Sequence, residues 1–171
     1  MENQNNTPRK MGMTMFILAW GVLLVLLAFF FDDWLGKQQN PNQTPSSSNK
    51  GGTIEVILLP NQRHHYIVNG MINDHPVVFL LDTGASDVVI PQQLAKKIGL
   101  QRGPKHYAST ANGTISVYHT QLDKVQIGEI TLRDIKASIN PSMDESVVLL
   151  GMSALRKVEF AQRGDTLILR Q

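Results

Sequence analysis

Residues 79–91 read FLLDTGASDVVIP, from Phe79 to Pro91. One aspartate stands in the middle of an apolar run, directly ahead of Thr83 and Gly84. An isolated carboxylate on a buried strand is costly unless it is paired or hydrogen-bonded, so Asp82 calls for a compensating partner. Two readings are open. In the first, Asp82-Thr83-Gly84 is a strand-to-turn corner, with the carboxylate accepting a local N–H and Gly84 supplying a positive φ. That leaves VVFLL before the motif and VVI after it unexplained, because a turn normally emerges at a polar surface. In the second, the loop is buried and the carboxylate meets another carboxylate. Two such groups within hydrogen-bonding distance cannot both ionise and therefore share a proton. One can then draw a proton from a water while the other donates to a carbonyl oxygen, which hydrolyses an amide without a covalent intermediate.

The second reading needs a second carboxylate. Asp74, Asp87, Asp123, Asp134, Asp144 and Asp165 are acidic, but none sits in an apolar run followed by Thr/Ser-Gly. The partner must come from another copy of the chain, since an isologous twofold interface brings equivalent residues together at its axis.

Outward from the motif, the chain beyond Thr53 shows period-two alternation or short apolar runs broken by turn residues, which predicts an all-β domain over 53–171. Strands are expected over 54–59, 65–68, 75–81, 88–90, 114–118, 122–127, 130–137, 147–150 and 166–169. Asn69-Gly70 and Gly128-Glu129 read as hairpin turns. PQQLAKKI, 91–98, predicts a short helix with Pro at its start and Gly99 just past its end. A second short helix is expected across Ser153 to Arg156. VVLLGMSAL, 147–155, is an apolar strand ending at a glycine. ASTANGTISVYHT, 108–120, carries Asn112-Gly113 between alternating residues, a type I′ hairpin pattern.

With LLDTGAS at 80–86, these two segments make the chain resemble the retropepsin-like aspartic proteases, in particular the membrane-anchored bacterial single-domain group carrying D-T-G-A. The resemblance spans nearly all of 53–171. It implies a closed acid-protease barrel with one or two short helices, active as a homodimer on extended peptide segments of other proteins. It further implies Asp82 as the catalytic aspartate, Thr83 bonding across the dimer axis and Gly84 offering a backbone carbonyl to substrate. Ala85, Ser86 and Asp87 then follow as substrate contacts, and Asn112 and Gly113 as the tip of a flap closing over the peptide. No cofactor is implied. Viral members carry an acidic residue two after the motif's glycine and an arginine after the later glycine; this chain has Ser86 and Met152 instead. The alternative is a catalytically silent dimerising or peptide-binding module of the same fold.

The first 52 residues read differently. Residues 1–10 form a short polar N-terminus. From Met11 to Phe31 the chain runs 21 residues without a charge, enough to cross a hydrocarbon core of about 30 Å as a helix. The run ends in Phe29, Phe30 and Phe31 followed by Asp32 and Asp33, not in the small residues of a signal-peptidase site, which favours an uncleaved anchor. Arg9 and Lys10 before the span place the N-terminus in the cytoplasm. The domain then lies outside, in the periplasm if the cell is bacterial, on the inner membrane as a single-pass protein. Residues 32–52, rich in Gln, Asn, Ser, Pro and Gly, predict a flexible linker. As a free chain the part from Gly36 to Gly52 would span some 20 to 25 Å.

Composition excludes other classes. The net charge of +2 comes without a Lys/Arg block beyond single pairs such as Lys96 and Lys97, so nucleic acid is not implied as a partner, because a phosphate-tracking face needs clustered cations. No cysteine is present, which removes disulfides, thiol nucleophiles and Cys-ligated zinc. The five histidines have no metal-ligand spacing, and no serine stands in a nucleophile-elbow motif.

Overall fold

The computed structural model describes residues 7–110, 113–143 and 146–171. The chain divides into two compact units, the first ending at Gln38 and the second running Gln39–Gln171. Helix α1, Thr7–Gln39, carries the apolar run. Its Gly12–Gln39 stretch is long and apolar enough to cross a membrane, and its large apolar side chains, from Met13 to Leu35, are exposed. Leu, Met and Phe hold helix readily, and the Asp33–Lys37 pair, one turn apart at 2.7 Å, supports the last turns. The helix stops ahead of Asn40, whose neighbour Pro41 disfavours helical backbone at the residue before it.

The second unit is built of strands β1 (Ser46–Lys50), β2 (Thr53–Leu58), β3 (Ile67–Ile72), β4 (His75–Leu81), β5 (Val88–Pro91), β6 (Lys105–Thr110), β7 (Gly113–Ile127), β8 (Ile130–Asn140), β9 (Val147–Leu150), β10 (Glu159–Arg163) and β11 (Thr166–Arg170). Two short helices interrupt them, α2 (Gln92–Lys97) and α3 (Met152–Leu155). Seven strands form one sheet in the order β3-β4-β9-β5-β8-β7-β6, and pairing of β3 with β7 through Met71–Gln126 and Ile72–Val125 closes it into a barrel. The other four form a second sheet in the order β1-β2-β11-β10. The expected closed all-β barrel with few short helices is therefore what the chain forms. One continuous core fills it, with Phe79, Leu58, Ile72, Ile90, Leu122 and Leu150 fully buried. Each such side chain contributes about 1.5–3 kcal/mol relative to exposure.

Local signals mislead in three places. Asn69-Gly70 is not a turn but lies inside β3; the hairpin turns instead at Asn73 and Asp74, which take φ of 46° and 66°. Gly70 serves packing: a Cβ there would lie 2.3 Å from the Gln126 carbonyl oxygen and 2.7 Å from the Phe79 ring. The strands expected over 114–118 and 122–127 are one long strand, β7. The expected linker is folded. Asn40 and Asn42 are buried, and the Asn42 side chain donates to the carbonyls of Leu59 (2.8 Å) and Ile67 (2.7 Å) while accepting the Leu59 N–H (2.7 Å). Asn40 donates to Asn69 Oδ1 at 2.8 Å, and Asn69 donates to the Gln43 carbonyl at 3.0 Å. Beyond this clamp, 46–50 pairs along β2 as β1. Side-chain amides supply here the strand-like bonds that an apolar face supplies elsewhere, so polar composition does not leave the segment free.

Candidate active site

Strand β9 runs between the two strands that flank the Asp82 loop. It pairs in parallel with β4, matching Leu80 to Leu149 and Leu81 to Leu150, and meets β5 where Val89 opposes Leu149. The Asp82 N–H continues the first ladder by donating to the Leu150 carbonyl at 3.2 Å. The apolar residues around the motif are thus the price of its placement: both flanking strands cross the barrel, and the loop emerges where they separate.

Within the loop, Asp82 Oδ1 accepts the Gly84 N–H at 2.9 Å and the Asp82 carbonyl accepts the Ala85 N–H at 3.2 Å. The carboxylate is held in place by its own loop and remains partly exposed. Gly84 is not among the glycines with positive φ. Its constraint is proximity, since a Cβ there would sit 3.1 Å from Asp82 Oδ1. The turn reading therefore accounts for the local N–H bond but not for the glycine.

The far side of the loop is fastened by the segment that starts α3. Met152 N–H donates to the Ala85 carbonyl (2.8 Å) and Ser153 N–H to the Ser86 carbonyl (2.9 Å). The buried Ser153 hydroxyl accepts the Val88 N–H at 3.0 Å and donates to the Lys136 carbonyl on β8 at 2.7 Å. Gly151 makes this contact possible, because a Cβ on it would stand 2.2 Å from the Asp87 oxygen and 2.6 Å from the Ala85 oxygen. Backbone and a serine thus hold the loop where an ion pair would require the two residues replaced by Ser86 and Met152. Asp87, half-buried, accepts from the Ser138 hydroxyl at 3.3 Å.

A cavity of about 340 Å³ opens at Asp82, bounded also by Thr83, Tyr66, Leu155, Phe160 and Gln162. Asp82 is the one carboxylate among the described residues that line it. A larger hollow of about 640 Å³ lies between the 99–103 loop and β7, and no residue of the Asp82 loop borders it. Size is therefore a poor guide to the chemistry here.

Of the residues singled out in sequence, Asp82, Thr83, Gly84, Ala85, Ser86 and Asp87 share this loop. Gly113 opens β7 in the β6–β7 hairpin with φ of 111°, its carbonyl accepting from Thr110 Oγ1 at 2.8 Å. Asn112 lies outside the described residues. Ser153, Ser138 and Gly151 also support the site. Gly151 is legible as a glycine ending an apolar strand; nothing local distinguishes Ser153 from a surface serine.

Residues 68–157 match the model of the gag-polyprotein putative aspartyl protease family, and the chain belongs to that family. A crystal structure described as a retropepsin-like aspartic protease from Rickettsia conorii is 28% identical, covers 74% of this chain and 94% of its own, and superposes with a TM-score of 0.56. Fold and family are thus those of retropepsin-like aspartic proteases. Among curated relatives, an uncharacterized protein of a Sinorhizobium species is 32% identical over 76% of this chain. Another, from Rickettsia prowazekii, is 31% identical over 67%. The matches span 58% and 51% of those relatives' own lengths.

Proposed function

We propose that the chain is an aspartic endopeptidase, anchored in a membrane by α1, whose site is completed by Asp82 of a second copy. The observation that carries this reading is the lone carboxylate at the mouth of its cavity, on a loop held rigid from both sides. An acid–base pair needs two such groups, and symmetry supplies the second. A water between them gives a proton to one carboxylate as its oxygen attacks the peptide carbonyl, while the other, protonated, donates to that carbonyl oxygen. Thr83 braces the paired loops, Gly84 to Asp87 line the substrate strand, and the β6–β7 hairpin, where Gly113 opens β7, covers it.

The strand that borders the cavity supports the same symmetry. β10 is an edge of the four-stranded sheet and reads EFAQR, with Phe160 and Gln162 facing the Asp82 cavity. Antiparallel pairing of two β10 strands about Ala161 sets Glu159 opposite Arg163 of the second copy, twice over, and covers a free edge that otherwise invites aggregation. Charge at the ends of the apolar run orients the chain with its N-terminus in the cytoplasm and the domain across the inner membrane, in the periplasm.

The test is to incubate the full chain in detergent with a library of extended peptides between about pH 4 and pH 7, wild type beside Asp82→Asn. Cleavage by the wild type and none by the variant is expected. Cleavage that survives the substitution refutes the mechanism, and binding without cleavage assigns the chain to the silent peptide-binding alternative.

A further inference from the structure

The folded segment after α1 changes what the site can reach. Eight residues separate Phe31, the end of the apolar run, from Asn40, the first residue of the clamp. That length rises about 12–14 Å as helix and reaches no more than about 32 Å when pulled straight. The 21 residues from 32 to 52, had they all been free, would have reached as much as about 79 Å. Whatever the angle between the two units, the chain cannot let the second drift further than this short reach from the end of the apolar run.

The clamp also grips close to the chemistry. Asn42 holds the Ile67 carbonyl, and its neighbour Tyr66 walls the Asp82 cavity. The Tyr66 carbonyl in turn accepts the N–H of Leu81, the residue before the aspartate, at 3.0 Å. Clamp and cavity are therefore joined through one strand entrance within the second unit.

We propose that this short reach acts as a ruler, and that the substrates are juxtamembrane segments of other membrane-anchored chains: extended stretches lying within a few nanometres of the same bilayer. The inference rests on the anchored-peptidase reading above and narrows its substrate class. Two chains confined to one membrane also meet at raised effective concentration, which favours such partners over freely diffusing proteins.

The experiment uses the full chain in liposomes. Single-span reporter proteins carry the library peptide that the enzyme cuts best, placed about 5 or about 15 flexible residues from the bilayer, or beyond a stiff helical spacer of about 60 residues that holds it about 90 Å away. The same peptide is offered free in solution. A second form of the enzyme carries a Gly/Ser insert of about 30 residues after Gln38, which lengthens the reach without touching the clamp. The wild type should cut the two near placements at least about tenfold faster than the distant one. The insert should shrink that ratio to within about twofold while leaving turnover of the free peptide unchanged. Equal cutting at every distance by the wild type, with the free peptide turned over, overturns the ruler and leaves the peptidase reading standing. Loss of cutting on the free peptide as well overturns the peptidase reading and the ruler with it. Failure of the chain to float with the liposomes overturns the anchor on which the ruler depends.

Discussion

Replacing Gly151 by alanine tests how the Asp82 loop is held. Gly151 has φ −88° and ψ −174°, a conformation alanine adopts freely, so backbone preference alone would make the change mildly stabilising, by about 0.4–1 kcal/mol. Space opposes it. The new methyl would stand 2.2 Å from the Asp87 oxygen and 2.6 Å from the Ala85 oxygen, about 1 Å inside ordinary C···O contact of about 3.3–3.6 Å. Both neighbours are backbone, so no rotamer change relieves the clash. The loop must shift, straining or losing the 2.8 Å bond from Met152 N–H to the Ala85 carbonyl. Overpacking at about 2–3 kcal/mol and a lost hydrogen bond at about 1 kcal/mol outweigh the backbone gain, leaving a net loss of about 2–3 kcal/mol. For a unit of this size that lowers the melting temperature by about 6–15 °C. Thermal unfolding followed by circular dichroism measures it, with Gly84→Ala as comparison. There the methyl meets only the movable Asp82 carboxylate, and stability should fall by less than about 1 kcal/mol while peptide cleavage drops. A Gly151→Ala protein that melts within about 1 °C of the wild type refutes the argument that close approach fixes the glycine.

Ser153→Ala removes the acceptor of the buried Val88 N–H and the donor to the Lys136 carbonyl; we expect a loss of about 1–3 kcal/mol in denaturant unfolding, and a loss below about 0.5 kcal/mol would refute this role of the hydroxyl. Asn42→Ala strips partners from the N–H and carbonyl of Leu59 and the carbonyl of Ile67. It should cost about 2–3 kcal/mol and speed hydrogen exchange at the Leu59 amide, whereas an unchanged exchange rate would show that the clamp is not what orders this segment. Glu159→Arg and Arg163→Glu should each weaken self-association in sedimentation equilibrium, and the two together should restore it; additive weakening would exclude the β10 pairing.

What could be read from the sequence was local. Asp82 declares itself because its apolar flanks lie on either side of it in the chain, and α2 because Pro91 and Gly99 bracket it. The remainder depends on residues distant in sequence. Asn40 and Asn42 find their partners at Leu59, Ile67 and Asn69, so a composition that looks like a tether folds as a clamp. Asn69-Gly70 has the form of a turn, yet Phe79 and Gln126 crowd the glycine into a strand. β10 carries charges only at its ends, Glu159 and Arg163, with Phe160, Ala161 and Gln162 between them at an edge with little burial, so no hydrophobic period announces it. Ser153 acts through a carbonyl of β8 and an amide of β5, a contact that exists only once the barrel has closed.

A shared site requires Asp82 to find its counterpart in another molecule. The most direct measurement mixes wild-type and Asp82→Asn chains at constant total concentration, lets them exchange subunits, and follows peptide cleavage against the wild-type fraction. If two aspartates are required, activity falls as the square of that fraction, to about one quarter in an equal mixture. A proportional fall, to about one half, would mean that each chain works by itself and would contradict the shared site.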